Sequence, residues 1–124
     1  MKDELKITII QSDLFWENPD ANLLMFSEKI NHISEKTNLI VLPEMFTTGF
    51  TMNAVTLAEI ENGKTLNWMK DQASKMNCAI TGSVIISENK TFYNRLFFVY
   101  PTGDYKTYDK RHTFTLAGEH HTFD

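Results

Sequence analysis

Residues 5–11 alternate, with Ile7 and Ile9 on one side and Lys6 and Thr8 on the other, which predicts a β-strand. Asn18-Pro19-Asp20 marks a helix start: an N-capping side chain, a proline at the first helical position and an acid in the first turn. Leu23, Phe26, Ile30 and Ile33 then recur at helical spacing, the buried stripe of a helix running to about Lys36. Leu39-Ile40-Val41-Leu42 has no alternation, as in a central strand covered on both faces, and Pro43 ends it. After Gly63, the positions Leu66, Met69, Ala73 and Met76 predict a second helix. Strands are predicted at residues 78–86, 92–100 and 105–109, with turns at Glu88-Asn89-Lys90 and at Pro101-Thr102-Gly103-Asp104. Residues 96–99 are apolar on both faces, which predicts burial on both sides. Residues 110–124 are polar, rich in histidine and without clear period.

The order β-α-β-α-β-β-β predicts an α/β fold with helical crossovers early in the chain. At 124 residues, with 42% hydrophobic, 12% aromatic and 23% charged side chains, the chain has the composition of one globular domain and not of a disordered segment. A net charge of -4 argues against nucleic acid as a partner, because phosphate binding needs clustered lysine and arginine. Apolar runs of only a few residues predict no membrane span. The opening Met1-Lys2-Asp3-Glu4 mixes charges and has no secretory pattern, and the one cysteine, Cys78, fits a reducing compartment; a cytoplasmic location is expected.

Candidate chemistry gathers at two places. Glu44 follows the strand at 39–42, and in parallel α/β sheets ligands collect beyond the carboxyl ends of strands. Flanked by Pro43, Met45 and Phe46, its carboxylate would lose hydration, which suits a general base near neutral pH. The plain alternative is a solvated loop glutamate. Lys110, in Tyr108-Asp109-Lys110-Arg111-His112, is predicted at another strand end, where an ammonium could stabilise an oxyanion; the alternative is a solvated basic cluster. Glu119, His120 and His121 lack the spacing of a metal site, and no metal or cofactor is expected. Cys78 opens an apolar strand and reads as a core residue rather than a nucleophile. Phosphate-binding glycine loops and the G-x-S-x-G elbow are absent from the sequence.

Together these segments resemble the nitrilase superfamily of carbon–nitrogen hydrolases. Residues 42–50, Leu-Pro-Glu-Met-Phe-Thr-Thr-Gly-Phe, match the loop that carries the family's catalytic glutamate, here Glu44. Residues 108–112 match its lysine loop, here Lys110, and Gly118-Glu119-His120 matches a second glutamate, here Glu119. Trp16-Glu17-Asn18-Pro19, the Asn94-Arg95 pair and Lys110-Arg111-His112 are most similar to the omega-amidase subgroup.

The resemblance implies the N-terminal half of a four-layer α-β-β-α sandwich, so that residues 1–124 form one incomplete domain, paired into a homodimer in the full-length enzyme. It implies hydrolysis of an amide, the omega-amide of a 2-oxo dicarboxylic monoamide, through a thioester. Glu44 would be the base, Lys110 would stabilise the tetrahedral intermediate, and Glu119 would orient substrate or hold the lysine. The family's nucleophilic cysteine comes after the lysine loop and is expected beyond Asp124, so these residues alone are expected to be inactive. They are also expected to self-associate or aggregate, since half a sandwich leaves apolar faces uncovered. Two other readings remain: a non-catalytic ligand-binding or assembly module made from half of the fold, and an unrelated α/β domain that uses Cys78.

Overall fold

The computed structural model describes residues 4–49, 51 and 53–114, with the backbone alone at 111–114. The chain forms β1 (Ile7–Ile9), α1 (Pro19–Asn31), β2 (Leu39–Val41), α2 (Ala54–Leu57), α3 (Lys64–Met76), β3 (Ala79–Glu88), β4 (Thr91–Val99) and β5 (Tyr105–Phe114). The five strands make one sheet in sequence order, with β1, β2 and β3 parallel and β3, β4 and β5 antiparallel. Each parallel step carries a helical crossover. Because the strands advance in one direction, both long helices fall on the same face of the sheet.

The core lies between that face and the helices. Leu23, Phe26 and Ile30 of α1 and Leu66, Met69 and Ala73 of α3 pack with Ile40, Ile80, Val84 and Phe97 of the sheet. Phe46 stands edge-on to Phe26, with ring centroids 5.7 Å apart, and against Trp68 at the same spacing, so it is wedged between α1 and α3. The helix start at Asn18 is as predicted, its side chain accepting from the Ala21 N–H at 3.1 Å with Pro19 at the first position.

Several elements differ from the sequence reading. Helix α1 ends at Asn31 rather than near Lys36, because the His32 and Ile33 N–H groups turn back onto the Lys29 and Ile30 carbonyls and tighten the last turn toward β2. Ile33 still packs against the core. The single turn of α2 was not anticipated. Strand β5 runs on to Phe114, so Lys110 lies inside a strand and not in a loop after one. The predicted two-sided burial also holds on one side only: Ile40, Phe97 and Val99 are buried, whereas Leu39, Val41, Leu96 and Phe98 on the opposite face are half-buried. On that same face Ile7 and Ile9 are 50% and 64% exposed. One helical layer covers one side of one sheet, which is half of an α-β-β-α sandwich.

The turn at Glu88-Asn89-Lys90 closes β3 and β4 with Asn89 and Lys90 both at positive φ, the paired left-handed geometry whose twist suits a two-residue hairpin.

Candidate active site

The segment after β2 is held against the sheet by backbone and core contacts at once. Leu42 N–H donates to the Thr81 carbonyl at 2.9 Å, and Phe46 N–H donates to the Ser83 carbonyl at 3.3 Å. Met45 takes a left-handed backbone (φ 50), unusual for a residue with a side chain, and its N–H is met by the buried Ser83 hydroxyl at 2.9 Å. Its side chain and that of Phe46 are fully buried. Gly82 is what allows this descent: a Cβ there would lie 2.8 Å from the Phe46 ring and 3.1 Å from Leu42 Cβ. On the outer side Asn22, itself fully buried, donates to the Phe15 and Thr47 carbonyls at 2.8 and 2.7 Å and accepts from the Phe15 N–H at 2.7 Å, joining α1 to the same segment.

Anchored in this way, the segment presents Glu44 outward. The Glu44 side chain is 44% exposed, and its Oε2 lies 3.0 Å from Lys110 Nζ. The same oxygen accepts from Asn94 Nδ2 at 2.8 Å. The three residues come from the β2 loop, β4 and β5. A cleft of about 250 Å³ opens at the carboxyl ends of β1 and β2, lined by residues that include Gln11, Ser12, Leu42 and Pro43, and none of Glu44, Asn94 and Lys110 lines it.

The electrostatics differ from the sequence expectation. Apolar neighbours were expected to raise the Glu44 pKa toward neutrality. It is instead held below the usual glutamate value, foremost by the hydrogen bond from Lys110; burial pushes the other way, and the bond from Asn94 and the charge of Lys110 add smaller pulls downward. The physical reason is that Met45 and Phe46 turn into the core and leave the carboxylate half exposed beside an ammonium.

Lys110 reaches Glu44 through a β-bulge. Asn94 pairs with Arg111 and Arg95 pairs with Asp109, so β5 advances by two residues where β4 advances by one, and Lys110 is the extra residue. A bulge re-aims a side chain that regular pleating would place elsewhere. On the helix side of the sheet the register is pinned by Arg95, whose side chain is 6% exposed. Its guanidinium donates to Asp109 through Nε and Nη2 at 2.6 and 3.1 Å, and through Nη1 to Glu61 at 2.7 Å and Glu88 at 2.8 Å. Asp109 foremost, then Glu88, holds Arg95 firmly protonated against burial. Glu61 also accepts from the Tyr105 hydroxyl at 2.6 Å.

The sequence reading therefore names two residues that meet in the structure, Glu44 and Lys110. The third, Glu119, lies outside the described residues, as do His120 and His121. Asn94, Ser83 and the Arg95 hub join the site in the structure without a role that the sequence assigns to them. One signal was available: Asn94-Arg95 is a polar pair inside the otherwise apolar strand 91–99, where a buried polar group needs a partner. Cys78 is 2% exposed in the core, and burial pushes its thiol pKa up, the opposite of what a nucleophile needs. Among the described residues no group of three or more histidine, cysteine or acidic side chains could hold a metal ion, and no helix is long and apolar enough to cross a membrane.

A one-sided α/β half-sandwich with a glutamate–lysine pair at its carboxyl edge is the class that these features define. A family model described as carbon-nitrogen hydrolase matches residues 6–123, and the chain belongs to that family. The chain is 40% identical over 119 residues to the omega-amidase YafV of Yersinia enterocolitica, covering 96% of this chain and 46% of that protein. It is 32% identical over 117 residues to the 2-oxoglutaramate amidase of Bacillus subtilis, covering 92% and 45%. Among solved structures, a CN-hydrolase superfamily protein of Xanthomonas campestris with an arsenic adduct in its active site superposes with a TM-score of 0.87 at 33% identity, over 99% of this chain and 46% of that one. Saccharomyces cerevisiae Nit3, a member of branch 10 of the nitrilase superfamily, shares the fold with a TM-score of 0.77 at 20% identity. The chain thus spans about half the length of the curated relatives it matches.

Proposed function

We propose that the protein hydrolyses the terminal amide of a 2-oxo dicarboxylic monoamide and releases ammonia, using Glu44, Lys110 and a cysteine that follows Asp124. The observation that carries this is the 3.0 Å contact between Glu44 Oε2 and Lys110 Nζ at the carboxyl edge of the sheet. The similarity to an omega-amidase and to a 2-oxoglutaramate amidase supports the substrate class.

The chemistry follows from the pair. Glu44 takes the thiol proton as sulfur attacks the amide carbon. Lys110 faces the oxygen that becomes negative in the tetrahedral intermediate. Collapse expels ammonia, which leaves with the proton from Glu44. Glu44 then draws a proton from water as the water oxygen attacks the thioester carbon; the C–S bond breaks, the sulfur takes that proton back from Glu44, and the acid departs. A glutamate kept ionised by its neighbours is ready as a base at neutral pH. Glu119 orients the substrate or holds Lys110. In this reading residues 1–124 are the first half of one hydrolase domain, cytoplasmic and dimeric when whole, and inactive alone.

The test is ammonia release from 2-oxoglutaramate by the full chain and by Glu44→Gln and Lys110→Met. Each substitution should lower kcat by about 10²–10⁴, the usual worth of a positioned acid–base or charge-stabilising group. Undiminished turnover by Glu44→Gln would overturn the mechanism. Binding of the amide by a full chain that never turns it over would favour the non-catalytic module.

A further inference from the structure

The two carboxylate oxygens of Glu44 are treated differently. Oε2 accepts from both Lys110 Nζ and Asn94 Nδ2, at 3.0 and 2.8 Å. Oε1 accepts no hydrogen bond from the described residues. Asn94, on β4, is 5% exposed, and its Oδ1 is buried without a hydrogen-bond partner among the described residues.

The orphaned oxygen is informative. An ionised carboxylate can only accept, so the amide must turn its NH2 toward Glu44 and its oxygen elsewhere. A buried acceptor left unpaired costs stability, and an apolar side chain of similar shape avoids that cost. Asparagine is therefore a poor choice for stability at this position, and its gain is the bond to Glu44.

We propose that Asn94 is a positioning residue that clamps Oε2 of Glu44 together with Lys110, leaving Oε1 as the oxygen that takes the proton from the nucleophile and returns it to the leaving amine. This rests on Glu44 being the general base. The two clamps have different duties. Lys110 is a charged group on a flexible stem, its side chain 39% exposed, free to turn toward a developing oxyanion. Asn94 is neutral and packed into the strand, so it holds Oε2 when the lysine turns away. It also holds it when Oε1 is protonated, because Oε2 is then a carbonyl oxygen that still accepts. Of the described charged groups, Lys110 on β5 is the one that bonds the Glu44 carboxylate; Asn94 supplies the neutral bond from β4.

The test compares Asn94→Leu and Asn94→Asp with the parent full chain. Asn94→Leu should keep or raise the Tm, lower kcat about ten- to hundredfold as expected for a lost hydrogen bond to a charged group, and leave KM within about twofold. The acid limb of its kcat profile should move to higher pH, since one donor that favours the ionised carboxylate is gone. Asn94→Asp should move that limb further, because a second carboxylate opposes the charge on Glu44. In the parent chain the Asn94 side-chain NH2 resonances should follow the Glu44 titration. A Tm loss with an unmoved acid limb, or Asn94 resonances that stay flat through the Glu44 titration, overturns the clamp. If Glu44→Gln is inactive while Asn94→Leu keeps its acid limb, the clamp alone fails; if Glu44→Gln stays active, it is the reading of Glu44 as base that fails.

Discussion

Glu44 and Lys110 are 66 positions apart in the chain, and their Oε2 and Nζ atoms lie 3.0 Å apart. Neither is deeply buried, with side-chain exposures of 44% and 39%, so the contact is set by the backbones that deliver them rather than by a closed cavity. One backbone is bolted down by Met45 and Phe46. The other is a bulged strand locked in register by Arg95.

Lys110→Met should return the Glu44 carboxyl toward its ordinary pKa, since Lys110 is the largest cause of its depression. Carboxyl-carbon NMR across the acid range measures this directly. A depressed folded-state pKa contributes stability above the ordinary value near 4.5 that fades as pH falls through the folded-state value. The Lys110→Met chain should therefore lose less stability on acidification than the parent. The difference should be small, because the pair is well solvated.

Arg95→Met should be far more damaging. It leaves Asp109, Glu61 and Glu88 facing one another around an apolar side chain. Because the three carboxylates are themselves a third to a half exposed, losing their hydrogen bonds to the guanidinium costs about 1.5–3 kcal/mol, readable as a lower urea midpoint. Asp109→Asn should cost less, yet it weakens the bidentate contact beside the bulge. The Glu44 carboxyl should then also titrate closer to its ordinary value. A Glu44 titration unchanged in Asp109→Asn contradicts the register-locking role.

Gly82→Ala tests how the Glu44 segment is anchored. The added methyl would stand 2.8 Å from the Phe46 ring, and that ring is hemmed in by Phe26 and Trp68. Overpacking of this kind costs about 1–3 kcal/mol. Thermal unfolding should show a clear drop in Tm, and the same Tm as the parent would mean that Phe46 moves freely.

The face of the sheet opposite the helices carries Ile7, Ile9 and Tyr108 at 50%, 64% and 65% exposure, with Leu96 and Phe98 half-buried between them. Residues 1–124 alone should self-associate through this face. Sedimentation velocity over a range of concentrations reads it, and a compact monomer at every concentration would count against it.

Much of this was legible along the chain because it is local. The N-cap at Asn18, the stripes Leu23-Phe26-Ile30 and Leu66-Met69-Ala73, and the hairpin at Asn89-Lys90 each depend on residues within a few positions of one another. Periodicity and capping chemistry act at that range. The segments around Glu44 and Lys110 were legible for a different reason: their residue strings resemble those of a hydrolase family, to which the chain belongs.

What tertiary structure alone decided is which distant groups share a space. That Phe46 seats on Gly82, that Ser83 meets the strained Met45 N–H, that Asn94 donates to Glu44, and that Lys110 is the extra residue of a bulge are all consequences of strand register. Register is fixed by long-range pairing and by packing across the sheet, and a shift of one residue would send each of these side chains to the other face. The sign of the Glu44 pKa shift turned on the same fact. Its neighbours in sequence are apolar and would raise it, but its neighbours in space are an ammonium and an amide, and they lower it.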